Sequence, residues 1–139
     1  MARIMGIDYG TKRTGIAVTD PLRLIASAHS TIPTEDVFDF LVEYVRREEV
    51  QTIVVGMPTH ADGNPVPVTQ HIVGFVRKLK KELPGIEVDT IDERYSSARA
   101  SDIIRQSGYK KKKRHDKSLV DKIAAALILE DYMKKKFGW

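Results

Sequence analysis

The chain contains no cysteine, which excludes disulfides and thiolate metal sites and suits a reducing compartment. Its longest uninterrupted apolar run is residues 123–129, far short of the ~20 residues that cross a bilayer. No signal-peptide pattern precedes the first apolar run, so the expected location is cytoplasmic, without membrane attachment. The four histidines, His29, His60, His71 and His115, show no metal-ligand spacing. Surface or packing roles are expected of all four. No internal repeat is visible.

What is present suits one globular domain over residues 1–139. The apolar fraction of 42% and charged fraction of 30% match folded soluble proteins rather than disordered ones. A chain of this size buries roughly two-thirds of its unfolded surface and so holds a core unaided. The net charge of +4 is concentrated in Lys110, Lys111, Lys112, Lys113 and Arg114, and again in Lys134, Lys135 and Lys136. The first cluster favours a polyanion. The second suits a helix C-terminus, where cations complement the dipole.

Hydrophobic periodicity predicts an α/β architecture. Residues 2–9 read as a central strand, apolar on both faces. Further strands follow near residues 14–19 and 24–30, and the short connections make the three an antiparallel meander. Thr34 is the expected N-cap of a helix carrying Val37, Phe38, Leu41, Val42 and Val45. The β-branched run within residues 51–57 suits a buried parallel strand. A helix with Ile72, Phe75, Val76, Leu79 and Leu83 on one face follows, then an edge strand at 86–92. A short helix from Ser96 or Ser97 ends near Gly108, and a last helix opens at Ser118 and runs to about Lys135. Right-handed crossovers give a five-stranded mixed sheet in the order 3-2-1-4-5 with helices on both faces.

That order places Asp8, Gly56 and Glu93 side by side at the carboxyl ends of the parallel strands, where sites form in open sheets. Asp8 ends an apolar strand, and a carboxylate there needs a partner, a divalent cation first among them. Gly56 is expected to leave space between the two acids. Asp121 sits on the otherwise mostly apolar stripe Asp121, Ala124, Ala125, Ile128, Tyr132. Each acid has a plainer reading as well. Asp8 suits a turn hydrogen bond, although Asp20 before Pro21 suits it better. Glu93 suits an ion pair with Arg94 or a helix-N-terminal charge. Asp121 suits a capping box with Ser118.

The blocks Gly6-Ile7-Asp8-Tyr9-Gly10-Thr11-Lys12-Arg13-Thr14-Gly15-Ile16-Ala17, Gly56-Met57-Pro58, Asp92-Glu93-Arg94-Tyr95-Ser96-Ser97 and Val120-Asp121-Lys122-Ile123-Ala124-Ala125-Ala126-Leu127-Ile128-Leu129 resemble, in order and over nearly the whole chain, the signature blocks of the YqgF family. Met57, Tyr95-Ser96 and the Asp62-Gly63 loop depart from its usual pattern and touch none of the acids. The resemblance implies an RNase H-like fold and a nuclease, once proposed as a Holliday junction resolvase and now associated with the 16S ribosomal RNA precursor. It also implies that Asp8, Glu93 and Asp121 are the catalytic, metal-binding acids.

Three carboxylates without Cys or His form a hard oxygen site suited to Mg²⁺ or Mn²⁺. Two such ions about 4 Å apart would serve in-line phosphodiester hydrolysis, with Asp8 bridging both. Lys12 and Arg13, and the loop cations Lys110, Lys111, Lys112, Lys113, Arg114 and Lys117, are expected on nucleic-acid phosphates; Arg94 is expected either there or beside Glu93. Precursor rRNA is the favoured partner and branched DNA the other, with the protein a monomer or a homodimer. Two alternatives stand beside the nuclease. One is a non-catalytic RNA-binding processing factor. The other is the phosphate loop of actin-like ATPases and sugar kinases, which need two such domains around a nucleotide.

Overall fold

The computed structural model describes residues 2–58, 67–93, 96–107 and 117–139. In chain order the elements are β1 (Arg3–Tyr9), β2 (Arg13–Thr19), β3 (Ala26–Pro33), a 3₁₀ turn (Thr34–Asp36), α1 (Val37–Arg47), β4 (Val50–Pro58), α2 (Thr69–Glu82), β5 (Glu87–Glu93), α3 (Ser96–Gln106) and α4 (Lys117–Phe137). The strands form one sheet in the order β3-β2-β1-β4-β5, as predicted. β1 pairs antiparallel with β2 and parallel with β4, and β4 pairs parallel with β5.

Strand alternation divides the core into two layers. Met5, Ile7, Ile16, Val18, Ile53 and Val55 face α1 and α2 and bury Leu41, Ile72 and Leu79. Ile4, Ala17, Val54 and Ile91 face α4 and bury Ala125, Ile128, Leu129 and Tyr132. α3 packs outside α4 through Ala100, Ala124 and Leu127. Continuous apolar character in β1 and β4 follows from this double burial.

α4 lies close to the sheet because glycines face it. A side-chain carbon on Gly6 would fall 2.7 Å from Leu129 Cβ, and one on Gly15 would meet the Asp121 carbonyl oxygen. The second contact matters most, since Gly15 is the register partner of Asp8. It sets the first turn of α4 directly over β2, beside that carboxylate.

Three expectations are corrected. Thr34 does not cap α1, whose N-cap is Asp36 without a side-chain bond. The Thr34 hydroxyl instead donates to the Gly10 carbonyl at 2.6 Å and accepts from Thr14 at 2.8 Å, which ties the Gly10–Arg13 turn to the end of β3. The third strand begins at Ala26, because the Asp20 carboxylate accepts the backbone N–H groups of Leu24 and Ile25, both at 2.8 Å. That pair of bonds fixes a turn and holds Asp20 below the usual carboxylate range. Gly56 opens no gap between acids: Ile128 Cδ1 lies 2.5 Å from where its Cβ would stand. Removing the side chain there seats α4.

His29 and Tyr9 pack against neighbouring rings. His29 lies against Phe40 and Tyr44, at centroid distances of 5.9 and 5.5 Å, and Tyr9 stacks on Phe75 at 4.8 Å. His71 is exposed on α2. His60, His115, Tyr109 and the Asp62-Gly63 loop lie outside the described residues.

Candidate active site

Asp8 belongs to the face of β1 that also carries Ile4 and Gly6, and therefore points to the α4 side of the sheet. Burial there penalises its charge, and the nearby Asp121 carboxylate adds like-charge repulsion. Together they raise the Asp8 carboxyl from 3.8 to about 6. Asp121 stands in the first turns of α4, where the contact over Gly15 positions it. Its Oδ2 accepts from Arg13 Nε at 2.6 Å; Arg13 remains 41% exposed and the acid only 16%. The guanidinium thus rims the site, with the carboxylate beneath it.

Glu93 is the last residue of β5, opposite Pro58 of β4 in register. It is 6% exposed, so its charge is costly without partners. Burial raises its carboxyl most; a hydrogen bond with Asp131 and that group's charge raise it further, and Asp8 adds a smaller push. Arg99 acts in the opposite direction, with Nη1 3.6 Å from Glu93 Oε2 and 2.9 Å from Asp131 Oδ2. Asp131 is correspondingly held low by Arg99 and Glu93 despite its partial burial.

The fold therefore gathers the three predicted acids on one side of the sheet. Asp8 lies in the field of Asp121, and Glu93 in that of Asp8. Among the described residues, no three Asp, Glu or His side chains close on one point as a ligand set. Two of the acids are held by arginines instead, Asp121 by Arg13 and Glu93 by Arg99.

Lys12 is exposed in the β1–β2 turn, and Lys117 is exposed in the first turn of α4 rather than in a preceding loop. The Arg13–Asp121 pair joins the start of β2 to the first turns of α4, the two stretches that follow Lys12 and Lys117 in the chain. Arg94, Lys110, Lys111, Lys112, Lys113 and Arg114 lie outside the described residues.

Sequence reasoning did not find Arg99 or Asp131. Asp131 carried a usable signal, since it extends the stripe Asp121, Ala124, Ile128 by one more step of three and is a carboxylate on a mostly apolar face. Arg99 carried none: its role depends on how α3 lies against α4.

Residues 2–135 match the family model RuvX, described as Holliday junction resolvase. The chain belongs to the RuvX (YqgF) family. Among its relatives, a protein of Phocaeicola vulgatus is 44% identical over 136 residues, covering 98% of each chain. One from Bacteroides fragilis is 43% identical, covering 98% of this chain and 99% of its own. Both are named as candidate pre-16S rRNA nucleases. Among solved structures, RuvC of Thermus thermophilus in complex with a Holliday junction aligns with a TM-score of 0.57 over 98% of this chain and 97% of its own. At 16% identity that likeness concerns the fold, which is RNase H-like in both.

Proposed function

We propose that this RuvX-family protein is a divalent-metal-dependent nuclease that hydrolyses a phosphodiester bond in a precursor of 16S ribosomal RNA. The observation that carries this reading is the crowding of carboxylates, half-buried Asp8 against half-buried Asp121 with buried Glu93 in range, on one side of an RNase H-like sheet. Neighbouring like charge raises the cost of ionising Asp8 and Glu93, and a hard dication relieves that cost.

The donor chemistry fits Mg²⁺ or Mn²⁺, which Asp8, Glu93 and Asp121 would hold as oxygen ligands. When bound, a pair of such ions supplies a nucleophilic water and stabilises the leaving oxygen. The remaining work belongs to the chain's own residues. Gly15 lets Asp121 approach Asp8. The Thr34 and Thr14 hydroxyls hold the turn that presents Lys12 and Arg13. Lys12, Arg13 and Lys117 attract the phosphate backbone without reading sequence, and Arg94 with the 110–114 cations extends that attraction. No described helix is long and apolar enough to cross a membrane, which is compatible with cytoplasmic action on ribosomal RNA.

The family description and the likeness to RuvC favour one second reading, resolution of four-way DNA junctions. The discriminating experiment offers the protein, in Mn²⁺, a 5′-extended 16S precursor transcript and a four-way DNA junction. Cleavage of the transcript, abolished by EDTA, with the junction left intact is expected. Paired nicks in the junction by a dimer, with the transcript untouched, would make it a resolvase. Binding of RNA unaffected by EDTA, without cleavage, would make it a non-catalytic processing factor.

A further inference from the structure

Glu93 is tied to a group outside the acid motif, the pair Arg99 and Asp131. Arg99, from α3, reaches two carboxylates at once. It meets Asp131 of α4 with both terminal nitrogens, Nη1 at 2.9 Å and Nη2 at 3.5 Å, and Glu93 of β5 with Nη1 at 3.6 Å. The fork on Asp131 is the closer contact, so Asp131 anchors the guanidinium and the guanidinium holds Glu93. Residues of β5, α3 and α4 thus meet at one guanidinium.

We propose that Arg99, anchored by Asp131, is a positioning residue for Glu93 and sets the affinity of the acid cluster for a divalent cation. The inference rests on the metal-site reading of Asp8, Glu93 and Asp121. Its physical content is orientational. A glutamate at a strand end has three free torsions, and a ligand whose direction is fixed by neighbours binds metal more tightly than one that must be ordered on binding. Arg99 supplies a fixed cationic fork, and α3 is itself held on α4 by Ala100 against Ala124 and Leu127. Leu127 and Asp131 lie one turn apart on α4, so the packing that seats α3 also sets the distance from Arg99 to its anchor.

The test measures Mn²⁺ binding calorimetrically, with metal-free protein and no nucleic acid, so the readout does not depend on turnover. Arg99→Ala and Asp131→Ala are each expected to weaken Mn²⁺ binding about tenfold. The double variant should be no weaker than the worse single one, because both remove the same restraint. Arg99→Lys keeps the charge, loses the fork and should fall between wild type and Arg99→Ala; it also serves if the alanine variant does not fold. Glu93→Gln separates this inference from the reading beneath it. Should Glu93→Gln lose Mn²⁺ affinity while the Arg99 and Asp131 variants bind like wild type, or more tightly, the positioning role is wrong and the metal site stands. Should Glu93→Gln bind Mn²⁺ as wild type does, the metal-site assignment of Glu93 fails and this inference with it. Effects of the two alanine variants that multiply would also overturn it, since independent structural losses multiply and a shared restraint does not.

Discussion

Replacing Asp8 with Asn is expected to stabilise the metal-free protein. The folded state holds the Asp8 proton more tightly than the unfolded chain does, with the carboxyl raised from 3.8 to about 6 by burial and by Asp121. Each tenfold in protonation is about 1.4 kcal/mol, so ionised Asp8 costs the fold about 3 kcal/mol above pH 6. The sign follows from proton uptake. Between pH 4 and 6 the native state binds more protons than the unfolded state, and the contribution of this group to stability falls as pH rises. Asn removes the charge and keeps the shape, recovering about 2 kcal/mol of that cost, or roughly 6 °C in melting temperature for a domain of this size. The assay is a thermal melt of both proteins in EDTA at pH 7.5 and pH 4. The gain should be full at the higher pH and nearly absent at the lower. Added Mn²⁺ should then raise the melting point of wild type and leave Asp8→Asn in place. A variant no more stable than wild type at pH 7.5 would refute the view that Asp8 is an uncompensated buried charge.

Three further outcomes follow from contacts elsewhere. Gly15→Ala places a carbon against the Asp121 carbonyl; it should lower stability by about 3 kcal/mol in urea melts and weaken Mn²⁺ binding, because α4 must move away from Asp8. Thr19→Val removes the acceptor for the buried Ile4 N–H at 2.9 Å and should cost about 2 kcal/mol, read as a lower urea midpoint at unchanged slope. Tyr132→Phe deletes the bond from the phenol to Asp89 at 3.1 Å; a loss of about 1 kcal/mol in the same melts is expected, with nuclease activity kept.

The strand order was legible because its determinants are local. Short turns at residues 10–12 and 20–25 enforce a meander, and the β-branched run Thr52-Ile53-Val54-Val55 belongs only in a strand buried on both faces. The direction of Asp8 was equally readable, since alternation puts it with Ile4 and Gly6. Asp121 showed itself as an acid on an apolar stripe. The misreadings arose where a residue serves a distant partner. Thr34 resembles a helix cap, yet its hydroxyl meets Gly10, 24 positions away. Gly56 resembles a gap, but Ile128 fills it. The bridge from Arg99 to Asp131 spans 32 positions and depends on α3 docking, which no local pattern encodes.

The most direct test of the central claim is the rate at which wild type and Asp8→Asn cut a 5′-extended 16S precursor transcript in Mn²⁺, with both proteins confirmed folded by their melts. Wild type should cleave, and the variant, although more stable than its parent, should lose at least about a thousandfold in rate, as expected when a ligand of the catalytic ions is removed. Equal cleavage by the two proteins would contradict that claim.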